Sequence, residues 1–172
     1  MARWMPICLV LLIFTACAKK RQEKKKQEQQ QKVLALNGVV TRHHDRLIEE
    51  FQEFYGGLYI QPIDLIVDNY QDLDSLIQSG KDSILLVGSP DSDSLFFRES
   101  LNLFEFYEAT WEGPLWEIVL IMERFELERI DDTYQIKPLV DSIIHKEQVL
   151  IEDWEGSLRR ISDQLEMELE EE

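Results

Sequence analysis

From Val33 onward, apolar residues return every three or four positions: Val33, Leu36, Val40, Leu47, Phe51, Phe54 and Leu58, with His43 in the same register. A helix of 3.6 residues per turn gathers such positions on one face, so the spacing predicts one amphipathic helix with a stripe about 25 residues long. Gly56-Gly57 should weaken or end it, because glycine costs about 1 kcal/mol inside a helix. A stripe of this length must be covered, either by the rest of the chain or by another helix in a coiled coil.

Pro62, Pro90, Pro114 and Pro138 each precede an apolar segment, at spacings of 28, 24 and 24 residues. Proline is tolerated in the first helical turn, where its missing N–H is not needed. The pattern predicts an array of helices of similar length, though the segments do not align as a repeat. Ser89-Pro90-Asp91 supplies a capping serine and an acid for the positive end of the helix dipole. Ile63, Ile66, Val67, Tyr70, Leu73 and Ile77 give the segment after Pro62 its stripe, and Gly80 is expected to close it. Ile84-Leu85-Leu86-Val87 is too short to classify by period.

The segment from Pro90 to Glu112 is rich in aromatics. At about 100° per residue, Arg98, Glu105, Glu108 and Glu112 share one sector, while the apolar residues cover most of the remaining circumference, which predicts a central helix. The alternative is that Phe96, Phe97, Phe104, Phe106, Tyr107, Trp111 and Trp116 form a partner surface or line a pocket for an apolar ligand or lipid. LWEIVLIMERFELERI reads as a buried helix started by Gly113-Pro114. It also reads as a β-hairpin around residues 117–137, with Asp131-Asp132 at the turn. Val140, Ile143, Ile144, Leu150, Trp154, Leu158, Ile161 and Leu165 predict a long last helix interrupted by Gly156. The fold class is therefore mainly α, a bundle of about five helices behind a tether, with α+β as the alternative.

Charge divides the chain. Cys17 to Lys32 holds seven Lys/Arg and two Glu, while Val33 to Glu172 holds ten Lys/Arg and 32 Asp/Glu. Lys19, Lys20, Arg21, Lys24, Lys25 and Lys26 form a membrane-proximal basic tether, since each such residue is worth about 1 kcal/mol near an anionic bilayer. The alternative is a solvated Lys/Gln/Glu helix with no partner. The acidic body is a poor nucleic-acid binder, because phosphate affinity comes from clustered Lys and Arg.

The chain opens with an apolar run from Trp4 to Ala16, interrupted by Pro6 and preceded by Arg3. A transmembrane helix needs about 20 apolar residues; a run this short fits the core of a secretory signal. Phe14-Thr15-Ala16-Cys17 resembles the lipobox of bacterial lipoproteins, with Phe where Leu is commoner. The resemblance covers the first 17 residues. It implies cleavage before Cys17 and lipid on that cysteine. Ala18, rather than Asp, follows Cys17, which implies delivery to the outer membrane, facing the periplasm. The alternative is an uncleaved anchor in the inner membrane, favoured by the positive charge that follows the run. The expected division is a signal peptide at 1–16, a lipidated tether at 17–32, an acidic helical domain at 33–165 and an acidic tail at 166–172. Loss of Cys8 with the signal would leave Cys17 as the one mature cysteine, which removes disulfides and thiol chemistry.

Few residues suggest catalysis. His43-His44-Asp45 places two histidines about 100° apart on a helix, and a shared zinc ion wants them about four residues apart. Ser89 to Ser94 is serine- and aspartate-rich, but Phe96 and Asn102 stand where a calcium loop begun at Asp91 needs Gly and Glu. None of the hydrolase, zinc-protease, P-loop or dinucleotide signatures is present. The expectation is a non-enzymatic protein without a cofactor or metal. Its partners are membrane lipid through acylated Cys17 and another envelope protein, with a second copy of the chain as a further option. By architecture alone the role resembles the small lipoprotein of a trans-envelope secretion complex such as a type VI system. The competing role is a lipoprotein module holding an apolar ligand.

Overall fold

The structure is a computed structural model that describes residues 5–89, 94–129 and 131–167, with side chains from residue 19 onward. α1 (Met5–Gly57) is followed by α2 (Ile63–Val87) and α3 (Leu95–Thr110). A π turn (Trp111–Leu115) joins α3 to α4 (Trp116–Glu123), which ends in a second π turn (Arg124–Glu128). A single 3₁₀ turn (Thr133–Gln135) leads into α5 (Ile136–Leu165).

The stripe that begins at Val33 is covered. Val33, Leu36, Val40, Leu47, Phe51, Phe54 and Leu58 are all buried. Burial of each such side chain contributes about 1.5–3 kcal/mol, which is why this half of α1 holds to the body. α1 packs chiefly along α2, while α3 lies against both α2 and α5. The expected break at Gly56-Gly57 is where α1 ends, and the amides of Ile60 and Gln61 both bond the Gly57 carbonyl, at 3.0 and 2.9 Å.

Contacts at the two ends of the bundle set the topology. The Ile63 amide donates to Glu126 Oε2 at 2.8 Å, so the α1–α2 loop and the end of α4 share one end of the bundle. Lys26 bonds Glu166, and Gln30 Nε2 donates to the Leu165 carbonyl at 2.9 Å, so the end of α5 lies beside α1 near the other end. The helices therefore run up, down, up and down, and α1 projects past the bundle on the side away from the Gly57 loop.

Several expectations are corrected. α3, the π turns and α4 form one rod, so the described residues make four rods rather than about five helices. Gly113-Pro114 does not start a helix. Proline removes a backbone donor and crowds the carbonyl four residues back, and a widened π turn accommodates it without breaking the rod. The hairpin around 117–137 is absent, and no strand occurs among the described residues. Leu115, Ile118, Val119, Ile121 and Met122 are buried while Trp116, Glu117, Leu120 and Glu123 are exposed, a period near 3.6 rather than 2. The serine that caps α3 is Ser94, whose Oγ accepts from the Phe97 amide at 3.4 Å. Pro90 and Asp91 lie outside the described residues.

Two glycines read as helix stops are also reassigned. Gly80 sits inside α2, which continues to Val87 and closes at Gly88 with φ +73°. Gly80 is where α2 approaches α3: a methyl there would overlap the buried Phe104 ring, with Cδ1 at 2.7 Å. Gly156 does not interrupt α5, and a methyl built on it meets nothing within 4 Å. Gly156→Ala is therefore expected to raise the unfolding free energy by about 0.5–1 kcal/mol, read as a higher urea midpoint with unchanged slope.

Candidate functional site

α1 carries Cys17 and the basic tether on the same helix as the buried stripe. The Cys17 side chain, like the Phe14-Thr15-Ala16 motif before it, lies outside the described side chains. Lys, Gln, Glu and Arg are good helix formers, so the stretch after Cys17 continues the helix. Lys19, Lys20, Arg21, Lys24 and Lys25 are exposed, and Lys24 pairs with Glu28 at 3.7 Å. Lys26 differs. It is half-buried and bonded to Glu166, while Gln30 satisfies a carbonyl at the C-terminus of α5. The contact with the body thus begins at Lys26, one to two turns before the Val33 stripe.

Among the described residues no helix is long and apolar enough to cross a membrane.

The aromatic group of α3 is spread around the helix. Phe96, Phe104 and Tyr107 are fully buried, Phe97, Phe106 and Trp111 are half-buried, and Trp116 is exposed. Their rings point to different neighbours. Tyr107 meets Phe51 of α1 at 5.7 Å, Trp111 stacks on Tyr70 of α2 at 5.0 Å, and Phe96 stacks on Trp154 of α5 at 6.2 Å. This is what a central helix does, and the seven residues do not converge on one surface. An open cleft of about 380 Å³ between the start of α3 and the end of α5 is lined by Ser94, Leu95, Phe96, Ser157, Arg160, Ile161 and Gln164. Phe96 is the one member of the aromatic group that reaches it.

The histidines are separated. His43 and His44 are half-buried on α1, and His145 is exposed on α5. Burial, then the charges of Arg46 and Arg42, hold His43 below its usual range, which disfavours the charged form. Among the described residues no three His, Cys, Asp or Glu side chains gather as a metal-binding group.

A side-chain hydrogen bond joins α3 to α5. The Tyr107 hydroxyl donates to Glu147 Oε1 at 2.6 Å. Burial first, then the Glu147 charge and this hydrogen bond, push the Tyr107 hydroxyl far above its usual range; burial and Glu147 do the same for Tyr55. Because both folded values are raised, the two neutral tyrosines contribute fully below about pH 10, the unfolded value, and the contribution is lost as pH rises beyond it. The thermal midpoint is expected to fall above about pH 10. The double variant Tyr55→Phe, Tyr107→Phe should show a shallower fall in a pH series of melts.

Reading by period passes over the exposed apolar residues Tyr59, Ile60, Phe125 and Leu127, because they fall outside the stripes. The signal available in the sequence was that these residues are large, apolar and placed at helix ends. The chain matches no family model, no curated protein and no solved structure.

Proposed function

We propose that the protein is a lipid-anchored, non-enzymatic subunit or scaffold of a bacterial envelope complex, held by acylated Cys17 and facing the periplasm from the outer membrane. The observation that supports this most is the continuity of α1 from the cysteine, through the basic tether, into the buried stripe. From Cys17 to Gly57 such a helix reaches about 60 Å at 1.5 Å per residue. A lipid at its start would set the height and direction of the body, which suits a spacer or scaffold better than a freely swinging module. Lysines near the anchor would lie at the headgroups, and the acidic body would stand off them. A subunit of a trans-envelope secretion complex, such as a type VI system, is one concrete form of this role. The rival role, an apolar-ligand module, draws less support because the α3 aromatics are used in packing against three neighbours.

Fractionation of cells making Cys17→Ser tests the anchor. Wild-type chain is expected in the membrane pellet with a palmitate analogue incorporated. The variant should be unlabelled and lost from that pellet, since two or more acyl chains are what hold a chain stably to a bilayer. Equal labelling of both chains would reject the anchor.

A further inference from the structure

We infer that the end of the bundle opposite the tether is a docking face for a protein surface that is apolar at its centre and basic at its rim. The inference rests on the envelope-subunit reading and names the face and the chemistry of the partner. The α1–α2 loop and the end of α4 share this end, and the Ile63–Glu126 hydrogen bond fastens them together. Glu126 also places a carboxylate at the positive end of α2, which holds the two loops as one surface. At this end Ile60 is 83% exposed, Tyr134 74%, Leu127 64%, Tyr59 64% and Phe125 40%. Scattered single apolar residues need no explanation, but several large ones gathered at one tip do. Ile60 and Leu127 cannot be excused as stripe residues, because the stripes on either side are already buried.

Charge decides the occupant. Arg124 is paired with Asp132 at 3.1 Å, and Lys137 with Asp141 at 2.7 Å. Glu53, Asp64, Glu123, Glu128 and Asp131 are exposed around the tip, against Arg129. The rim is therefore negative. A second copy docking tip to tip would bring two negative rims together. An anionic bilayer would repel the same rim, and the tip lies about 60 Å along α1 from the cysteine. A partner with Lys and Arg around an apolar centre meets neither objection. Complementary charge would set its orientation and speed its arrival, and apolar contact would hold it.

The test uses the full chain in its native membranes, with a photo-crosslinking phenylalanine analogue at Ile60 or at Leu127, and at Val149 of α5 as a control. The expected result is a single adduct from Ile60 and Leu127 and none from Val149. Mass spectrometry of the adduct should map it to a segment with Lys or Arg flanking apolar residues. Leu127→Glu should reduce the Ile60 adduct at least about tenfold, and raising salt from about 50 mM to about 500 mM should also weaken it. Circular dichroism of Leu127→Glu should match wild type, because the side chain is exposed. An adduct to a second copy, to lipid or to an acidic segment, equal adducts at all three positions, or no adduct would overturn the proposal. Acylation is read on the same sample. An acylated chain without the adduct defeats the docking face alone, and an unacylated chain that still gives the basic adduct defeats the anchor alone.

Discussion

Trp111→Ala is expected to lower the unfolding free energy by about 3–5 kcal/mol, the range for removing a large aromatic from packed surroundings. The reason lies in the π turn. Trp111 stacks on Tyr70 with ring centroids 5.0 Å apart and planes 13° apart. Its Nε1 donates to the Tyr70 carbonyl at 2.9 Å, and the Tyr70 hydroxyl donates back to the Trp111 carbonyl at 3.1 Å. That second bond gives a carbonyl of the widened turn a partner from α2. The Trp111 and Tyr70 side chains together join α2 to the point where the long α3–α4 rod accommodates Pro114. Tyr70→Phe removes only the hydroxyl and should cost about 1 kcal/mol. Urea unfolding followed by circular dichroism separates the two cases. A loss below about 1 kcal/mol for Trp111→Ala would mean that α2 and the π turn are not joined in this way.

Gly80→Ala is expected to destabilise the protein by about 1–2 kcal/mol, although alanine is the better helix former by about 1 kcal/mol. Overpacking a filled site typically costs about 1–3 kcal/mol. The added methyl would meet Phe104, whose ring is fully buried and backed by Tyr107 at 5.7 Å, so it has little room to shift. The nearby Lys81–Glu108 pair, at 2.5 Å, fixes the same approach of α2 to α3. Phe104→Leu should give the methyl space. In that background Gly80→Ala should become neutral or stabilising, and the two substitutions should be clearly non-additive. Stabilisation by Gly80→Ala in the otherwise unchanged chain would contradict the close approach.

Periodicity made the core of this fold readable. The apolar positions expected inside α1 are buried there, with His43 of the same register half-buried, because one face of a helix is a local property and the sequence carries it directly. Glycine and proline were less informative. Gly80 and Gly156 are both helical; one is needed by a ring 24 residues away and the other by nothing nearby. No local signal distinguishes a glycine that ends a helix from one that admits a neighbour. Pro114 misled for a similar reason, since a π turn and a helix start both tolerate a missing amide. The docking of Lys26 on Glu166 joins residues 140 positions apart, which a local reading has no means of seeing. The proposed lipidation of Cys17 is the opposite case: it rests on four residues of sequence, and nothing in the packing of the body bears on it.

The proposed anchor is defined by where the mature chain begins and what it carries. Intact mass spectrometry of protein extracted from membranes addresses both at once. The expected species starts at Cys17 and is heavier than that polypeptide by covalently attached acyl lipid. A chain that starts at Met1 with the mass of bare polypeptide would contradict the anchor and the position assigned to the body.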